Sequence, residues 1–255
     1  MTIYSEMTPY YHEIFPLNRA FLDLVAHYVA APGRALDVGC GTGHYPAQLS
    51  AGGYAVTAID PNAAMIAWAR KHDPATDYRV LSMLDVATLD PGFGLLYCIG
   101  NVLAYLPPAR RGDFLASARQ IAAPGAIWIT QTVNWDALLG RETYDFPEIA
   151  LPDRDVIFTR RYVRMREDSV SFQTALYVAG ECRARDTHTL YPLLSEDALA
   201  LHRAHGFELL GHFSNFEREP YQREALGGNV MVFRTRATFQ IIGETTKGVD
   251  SKCQN

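Results

Sequence analysis

Apolar residues in the first half of the chain fall in short runs, and stretches with helical spacing separate them. Ala35, Leu36 and Val38 predict a strand over 34–38, and the run Tyr54-Ala55-Val56-Thr57-Ala58-Ile59 predicts a second. Residues 78–82 make a third, short candidate. The fourth, 93–99, is nearly all apolar, as expected of a strand covered on both faces. Leu17, Phe21, Leu22, Val25, Tyr28 and Val29 recur at helical spacing ahead of the first strand, over 17–30. Helices are expected over 44–51 and 62–72; Asp60-Pro61-Asn62 is a good start signal for the second, since proline and a capping side chain suit a first turn. Pro107-Pro108 opens a helix to about 122, and Pro124-Gly125 turns into a strand over 126–133. Near the end, a helix over 195–205 leads through His205-Gly206 into a strand over 207–213, with a last strand over 229–235. This alternation predicts an α/β fold: a parallel sheet with helices on both faces.

Residues 134–193 break the rhythm. They are too many for one helical crossover, and their pattern is β. Strands are expected over 156–165, 169–178 and 183–191, the first two joined as a hairpin at Glu167-Asp168. Arg160, Arg164 and Arg166 would share one face of the first of these strands. A solvated outer face paired with nearby acids is the preferred reading, and a fork for a substrate carboxylate the second. After Ile242 the chain is polar and unpatterned, so 237–255 reads as a flexible tail.

The most specific chemistry lies at 35–43, Ala-Leu-Asp-Val-Gly-Cys-Gly-Thr-Gly. A strand runs into glycines at alternate positions, Gly39, Gly41 and Gly43, and a helix follows. Glycine suits a turn that visits backbone angles a Cβ forbids and that lets a ligand lie against bare backbone. Asp60 ends the next apolar run, about twenty residues on, where a carboxylate can accept both ribose hydroxyls of a nucleoside. The spacing is G-x-G-x-G rather than the dinucleotide G-x-G-x-x-G, and Asp37 stands just ahead of it. A carboxylate there would repel a pyrophosphate and suits a ligand that brings a cation.

This constellation resembles motif I of the class I S-adenosylmethionine-dependent methyltransferases. The resemblance covers roughly 10–235 and implies a Rossmann-like seven-stranded sheet, its last strand inserted antiparallel, with an antiparallel β elaboration between strands five and six. It implies a lid over 1–30, a methyltransferase domain over 31–236 and a substrate-covering insertion over 134–193. The cofactor would be S-adenosyl-L-methionine, leaving S-adenosyl-L-homocysteine, held by Asp37, Gly39, Cys40, Gly41, Gly43, Asp60 and Pro61. By the same resemblance Asp85 accepts from the adenine amino group beside Met83 and Leu84. Met65 flattens on the ring's other face or belongs to the core. Gly100-Asn101, past the fourth strand, is similar to the corresponding segment of glycine and sarcosine N-methyltransferases. There Gly100 admits the methionine moiety, and Asn101 reaches substrate or cofactor. Tyr10 or Tyr11 fits the tyrosine that many such enzymes place near the sulfonium. Tyr105, Asn134 and Trp135 complete the expected acceptor pocket.

Charge and composition narrow the acceptor. With 28 acidic against 23 basic residues the chain has no electrostatic footprint for nucleic acid. An Asn-Pro-Pro-Tyr-type motif is absent after the fourth strand. No run of about eighteen apolar residues predicts a membrane span. The opening Met-Thr-Ile-Tyr-Ser-Glu-Met lacks a basic segment followed by an apolar core, so no signal peptide is expected. Cys40, Cys98, Cys182 and Cys253 have no metal-ligand spacing, and reduced thiols in a cytoplasm are the simplest reading. The expected function is methyl transfer to a small molecule, an amine ahead of a phenol or carboxylic acid, with room for a homodimer contact. A phenol or acid acceptor would call for a base. His12, His44 and His188 are candidates with no partner legible in sequence, so no catalytic residue is assigned. An NAD(P)-dependent oxidoreductase and a non-catalytic nucleoside-binding protein remain the competing readings.

Overall fold

The computed structural model describes residues 2–236. The expected tail over 237–255 lies outside the described residues. In chain order the elements are α1 (Ile3–Met7), α2 (Tyr11–Ile14), α3 (Arg19–Tyr28), β1 (Arg34–Val38), α4 (His44–Ala51), β2 (Ala55–Asp60), α5 (Ala63–His72), β3 (Asp77–Val80), β4 (Phe93–Cys98), α6 (Pro108–Ile121), β5 (Ala122–Val133), α7 (Trp135–Leu138), β6 (Thr143–Asp145), β7 (Ile149–Leu151), β8 (Val156–Val163), β9 (Val170–Val178), β10 (Glu181–Leu190), α8 (Ser195–Ala204), β11 (Phe207–Phe213) and β12 (Gly228–Thr235).

The large sheet runs β3-β2-β1-β4-β5-β12-β11. β2, β3, β4 and β5 join β1 in parallel pairings, and β12 lies antiparallel to both β5 and β11. This is the Rossmann-like seven-stranded arrangement expected from the sequence. Alternation along the strands feeds two apolar layers. Leu36, Val38, Leu96 and Trp128 face α6 and α8 through Phe114, Leu115 and Ala198. Ala35, Ala58, Leu95 and Ile129 face α3 and α5 through Phe21, Leu24, Val25 and Ile66. Helices α3 and α5 start on side-chain caps: the Asn18 oxygen accepts from the Ala20 N–H at 2.9 Å, and the Asn62 oxygen from Ala64 and Met65 at 3.0 and 3.2 Å.

The elaboration between the fifth and sixth strands of the sheet is a second, antiparallel sheet, β10-β9-β8-β6, with β7 also on β8. The β8–β9 hairpin and β10 were legible; β6, β7 and the helical turn α7 were not, being too short to show a period. β8 stops at Val163, and Arg164 takes a left-handed φ of 51°. The turn breaks the alternation, so Arg160, Arg164 and Arg166 do not share a face as their spacing suggested. The N-terminal segment packs on this second sheet: Ile3, Met7 and Ile14 form one apolar cluster with Val156, Phe158 and Leu176.

Candidate active site

The turn after β1 is held from beneath. The N–H groups of Gly39 and Cys40 donate to the Ile59 carbonyl at 2.8 and 3.0 Å. Gly41 N–H donates to Asp60 Oδ2 at 3.0 Å, and Asn62 N–H to Oδ1 at 2.8 Å. The Asp60 carboxylate is thereby fixed in orientation with one acceptor site per oxygen still free. The glycines at 39 and 43 are required twice over. Both have positive φ, 86° and 82°, and an added Cβ would meet Val102 Cγ1 at 2.6 Å in one case and the Tyr78 hydroxyl in the other. At Gly41 a Cβ would meet the Tyr11 hydroxyl at 3.1 Å. Tyr11 therefore lies over the middle of the turn, while Tyr10 stands at the outer rim against the Arg154 guanidinium, 5.1 Å from its ring centre.

Asp37, one strand position from the turn, is 2% exposed. Burial holds its carboxyl pKa well above the ordinary value; Tyr97, its partner in the β1–β4 pairing, pulls the other way, and Asp60 adds to the rise. Asp60 is also raised by burial, with the Asn62 and Gly41 amides opposing. The Cys40 thiol is pushed up by burial and by both carboxylates, so it is an inert filler here. Along the adjoining edge Met65 is buried on α5, Met83 and Leu84 are half-buried in a 3-10 turn capped by Ser82, and Asp85 is exposed. Pro61 is exposed at the head of α5.

Past β4, Gly100 and Asn101 both take positive φ, 73° and 64°. Gly100 N–H donates to Gln131 Oε1 at 2.6 Å. Asn101 is spanned between two layers: its Oδ1 accepts from Val133 N–H and its Nδ2 donates to the Tyr162 hydroxyl, each at 3.2 Å. The Tyr105 hydroxyl is hydrogen-bonded to that of Tyr4. Burial raises the pKa of Tyr4, Tyr11, Tyr105 and Tyr162 alike, so these phenols stay neutral and act through hydrogen bonds. Tyr4 and Tyr162 were not singled out from the sequence. Their signals are faint: Tyr4 lies seven residues from Tyr11, and Tyr162 alternates with Phe158 on one strand face.

Asn134 and Trp135 are packed differently from a pocket wall. Asn134 is 1% exposed, and its Nδ2 lies 2.9–3.0 Å from the carbonyls of Gln222, Arg223 and Ala225, while its Oδ1 accepts from the Tyr221 hydroxyl at 2.7 Å. It clamps the segment before β12. Trp135 is fully buried behind Tyr162, ring centres 5.2 Å apart. Of the histidines, His12 stacks on His44 at 4.0 Å, and burial lowers the pKa of both. His188 lies with Nε2 3.3 Å from Asp186 and its ring 5.6 and 5.7 Å from those of Tyr4 and Tyr105. Among the described residues no cluster of three or more His, Cys, Asp or Glu could hold a metal. No helix there is long and apolar enough to cross a membrane.

Residues 35–125 match a family model described as a methyltransferase domain. Over 123 residues the chain is 31% identical to a glycine N-methyltransferase of Rattus norvegicus, covering 42% of each protein. Over 127 residues it is 39% identical to a ubiquinone biosynthesis O-methyltransferase of Xanthomonas campestris, covering 46% of this chain and 51% of that one. The chain thus spans about half the length of the curated relatives it matches. The fold is similar to a crystal structure of an S-adenosylmethionine-dependent methyltransferase from Clostridium acetobutylicum, with a TM-score of 0.75 at 14% identity over 91% of this chain and 99% of that one.

Proposed function

We propose that this chain is a class I S-adenosylmethionine-dependent methyltransferase and methylates the nitrogen of a small-molecule amine, a reading that the match of residues 35–125 to a methyltransferase domain supports. The residues present fit the cofactor. Asp37 is a buried carboxylate whose raised pKa marks a place for a cation such as the ammonium or sulfonium of S-adenosylmethionine. Asp60 keeps one acceptor site on each oxygen for a ribose diol. The turn 39–43 offers bare backbone to the ligand. Met65, Met83 and Leu84 offer apolar cover for adenine, with Asp85 as the acceptor for its amino group.

The bound cofactor brings one property, a sulfonium that makes the attached methyl carbon electrophilic. The rest falls to this chain: to align the acceptor atom and exclude water. Tyr11 covers the turn, Tyr4 and Tyr105 tie the N-terminal segment to the strand edge, and Asn101 fixes that edge to the second sheet through Tyr162.

The observation that carries the amine reading is this cluster of neutral phenols, Tyr4, Tyr11 and Tyr162 around Tyr105, with Asn101 held by Tyr162. It supplies hydrogen bonds to orient a nucleophile and no strong base, which is enough for an amine that arrives unprotonated. The pairing of His188 with Asp186 supports a second reading, an oxygen acceptor whose proton His188 takes. S-adenosylhomocysteine release, assayed over panels of amines, phenols and carboxylic acids with wild type and His188→Gln, separates the two. Turnover of amines that survives His188→Gln supports nitrogen transfer. Turnover confined to phenols or acids, and abolished by His188→Gln, establishes the second reading instead.

A further inference from the structure

The β4–β5 ladder ends where Cys98 stands beside Thr130, and the chain then turns at Gly100 and Asn101. Both take left-handed φ, 73° and 64°, which glycine adopts freely and asparagine tolerates. One half-buried residue of β5, Gln131, takes both amides of this turn. Its side-chain Oε1 accepts from the Gly100 N–H at 2.6 Å, and its main-chain oxygen accepts from the Asn101 N–H at 3.1 Å. Its Nε2 donates to the Thr132 carbonyl at 3.1 Å, which fixes the plane of the carboxamide.

The side chain is matched to this task. One end must accept and the other donate, and among side chains of this shape only a carboxamide does both. Reversed, the group would set donor against donor at Gly100 and acceptor against acceptor at Thr132.

The turn also bears on the glycine loop. Val102, the next residue, fills the space that a side chain at Gly39 would need: an added Cβ would lie 2.6 and 2.7 Å from its two methyl carbons. Gly39 is held from its other side, its N–H donating to the Ile59 carbonyl at 2.8 Å. The backbone angles at Gly100 and Asn101 therefore set where the Val102 methyls press on the first glycine of the loop. Gln131 lies on β5, and β4 separates it from β1, so it reaches the loop through this turn.

We infer that Gln131 is a positioning residue for methyl transfer: its carboxamide sets the Gly100–Asn101 turn, and the turn sets the wall of the cofactor site at Gly39. This rests on the methyltransferase reading for the identity of the ligand. A hydrocarbon at position 131 leaves the Gly100 N–H without its acceptor and releases Val102 against the loop.

The test titrates S-adenosylmethionine calorimetrically into wild type, Gln131→Met, Gln131→Asn and Gln131→Glu, with melting temperatures alongside. Gln131→Met keeps the length and loses both side-chain hydrogen bonds, and should cost about tenfold in affinity. Gln131→Asn keeps the amide but is one methylene too short for Gly100. It should behave like Gln131→Met, and it stands in for that variant if Gln131→Met does not fold. Gln131→Glu still accepts from the Gly100 N–H and should stay within about threefold of wild type. Wild-type affinity in Gln131→Met, or a loss in Gln131→Glu as large as in Gln131→Met, overturns the assignment. So does a loss that follows a fall in melting temperature equally in all three variants, since that marks a purely structural residue. If wild type binds no S-adenosylmethionine, the methyltransferase reading fails, and amide hydrogen exchange still decides whether Gln131 sets the turn. The Asn101 N–H has a main-chain acceptor in every variant, yet it should exchange about tenfold faster in Gln131→Met than in wild type. Equal exchange would show that the turn holds without the carboxamide.

Discussion

The glycine-turn edge of the large sheet and the inner face of the second sheet are built in opposite ways. At the turn, the main-chain amides are fixed by residues close in sequence or on the adjacent parallel strand: Gly39 and Cys40 to Ile59, Gly41 and Asn62 to Asp60. At the second sheet the contacts bridge distant segments. Asn101 reaches Tyr162 across 61 residues, and Tyr4 reaches Tyr105 across 101. A local site can be carried by a short motif and recur unchanged among proteins that act on different molecules. A long-range site depends on how three segments pack. Two relatives, a glycine N-methyltransferase and a ubiquinone biosynthesis O-methyltransferase, match this chain over a little under half its length.

Breaking the turn should separate the two regions most sharply. Asp60→Ala removes two acceptor sites for the ribose and frees two main-chain amides, and should cost about hundredfold or more in S-adenosylhomocysteine affinity. Tyr162→Phe, which breaks the Asn101 contact of the second sheet, should leave that affinity nearly unchanged, as a calorimetric pair of titrations would show. Comparable losses in both variants would mean that the regions are not independent.

The large sheet also carries its own acid sensitivity. His202 is 1% exposed, stacked on Phe233 at 4.2 Å, and burial lowers its pKa from 6.5 to about 4. Above the unfolded value it contributes nothing to the pH dependence. As pH falls from 6.5 toward 4 the unfolded chain takes up a proton that the folded chain refuses, so stability declines, by roughly 3 kcal/mol at most. His202→Phe keeps a ring on Phe233 and should flatten that limb in denaturant titrations at stepped pH. A limb as steep in the variant as in wild type would place the acid sensitivity elsewhere.

A smaller effect is expected at Asn134, between β5 and α7. Asn134→Ala leaves the Gln222, Arg223 and Ala225 carbonyls and the Tyr221 hydroxyl without their shared partner, at a cost of about 2 kcal/mol. The melting temperature should fall, while cofactor affinity changes less than in Asp60→Ala. An acceptor KM that rises with no loss of stability would return Asn134 to the pocket. The smallest effect is at Tyr4 and Tyr105. A double-mutant cycle of Tyr4→Phe and Tyr105→Phe on stability should give a coupling of about 1 kcal/mol. No coupling would remove the tie between the N-terminal segment and the strand edge.

The same contrast explains what the sequence disclosed. The order of strands and helices, the glycine turn and the β8–β9 hairpin were legible because period and turn chemistry are local signals. Asn134 and Trp135 sit in an Asn-Trp-Asp string that looks like a pocket wall. Their partners, the 222–225 carbonyls and the Tyr162 ring, are distant in the chain, so no spacing reveals them. Arg160 was misplaced for a different reason. A shared face would need the strand to continue to residue 165, but β8 ends at Val163 and Arg164 turns with a positive φ. Arg160 is then set apart from the two exposed arginines and turned inward beside Tyr162. His188 was visible as a base candidate, and its partner Asp186 lies two residues away on the same face of β10.

The central claim is that the turn, Asp37 and Asp60 together bind the sulfur nucleoside. Its most direct test is calorimetric titration of the purified protein with S-adenosylhomocysteine and S-adenosylmethionine, with NADH as the comparison ligand. The account predicts micromolar binding of both sulfur nucleosides and no measurable binding of NADH. Binding of NADH alone, or of neither sulfur nucleoside by a folded protein, would contradict it.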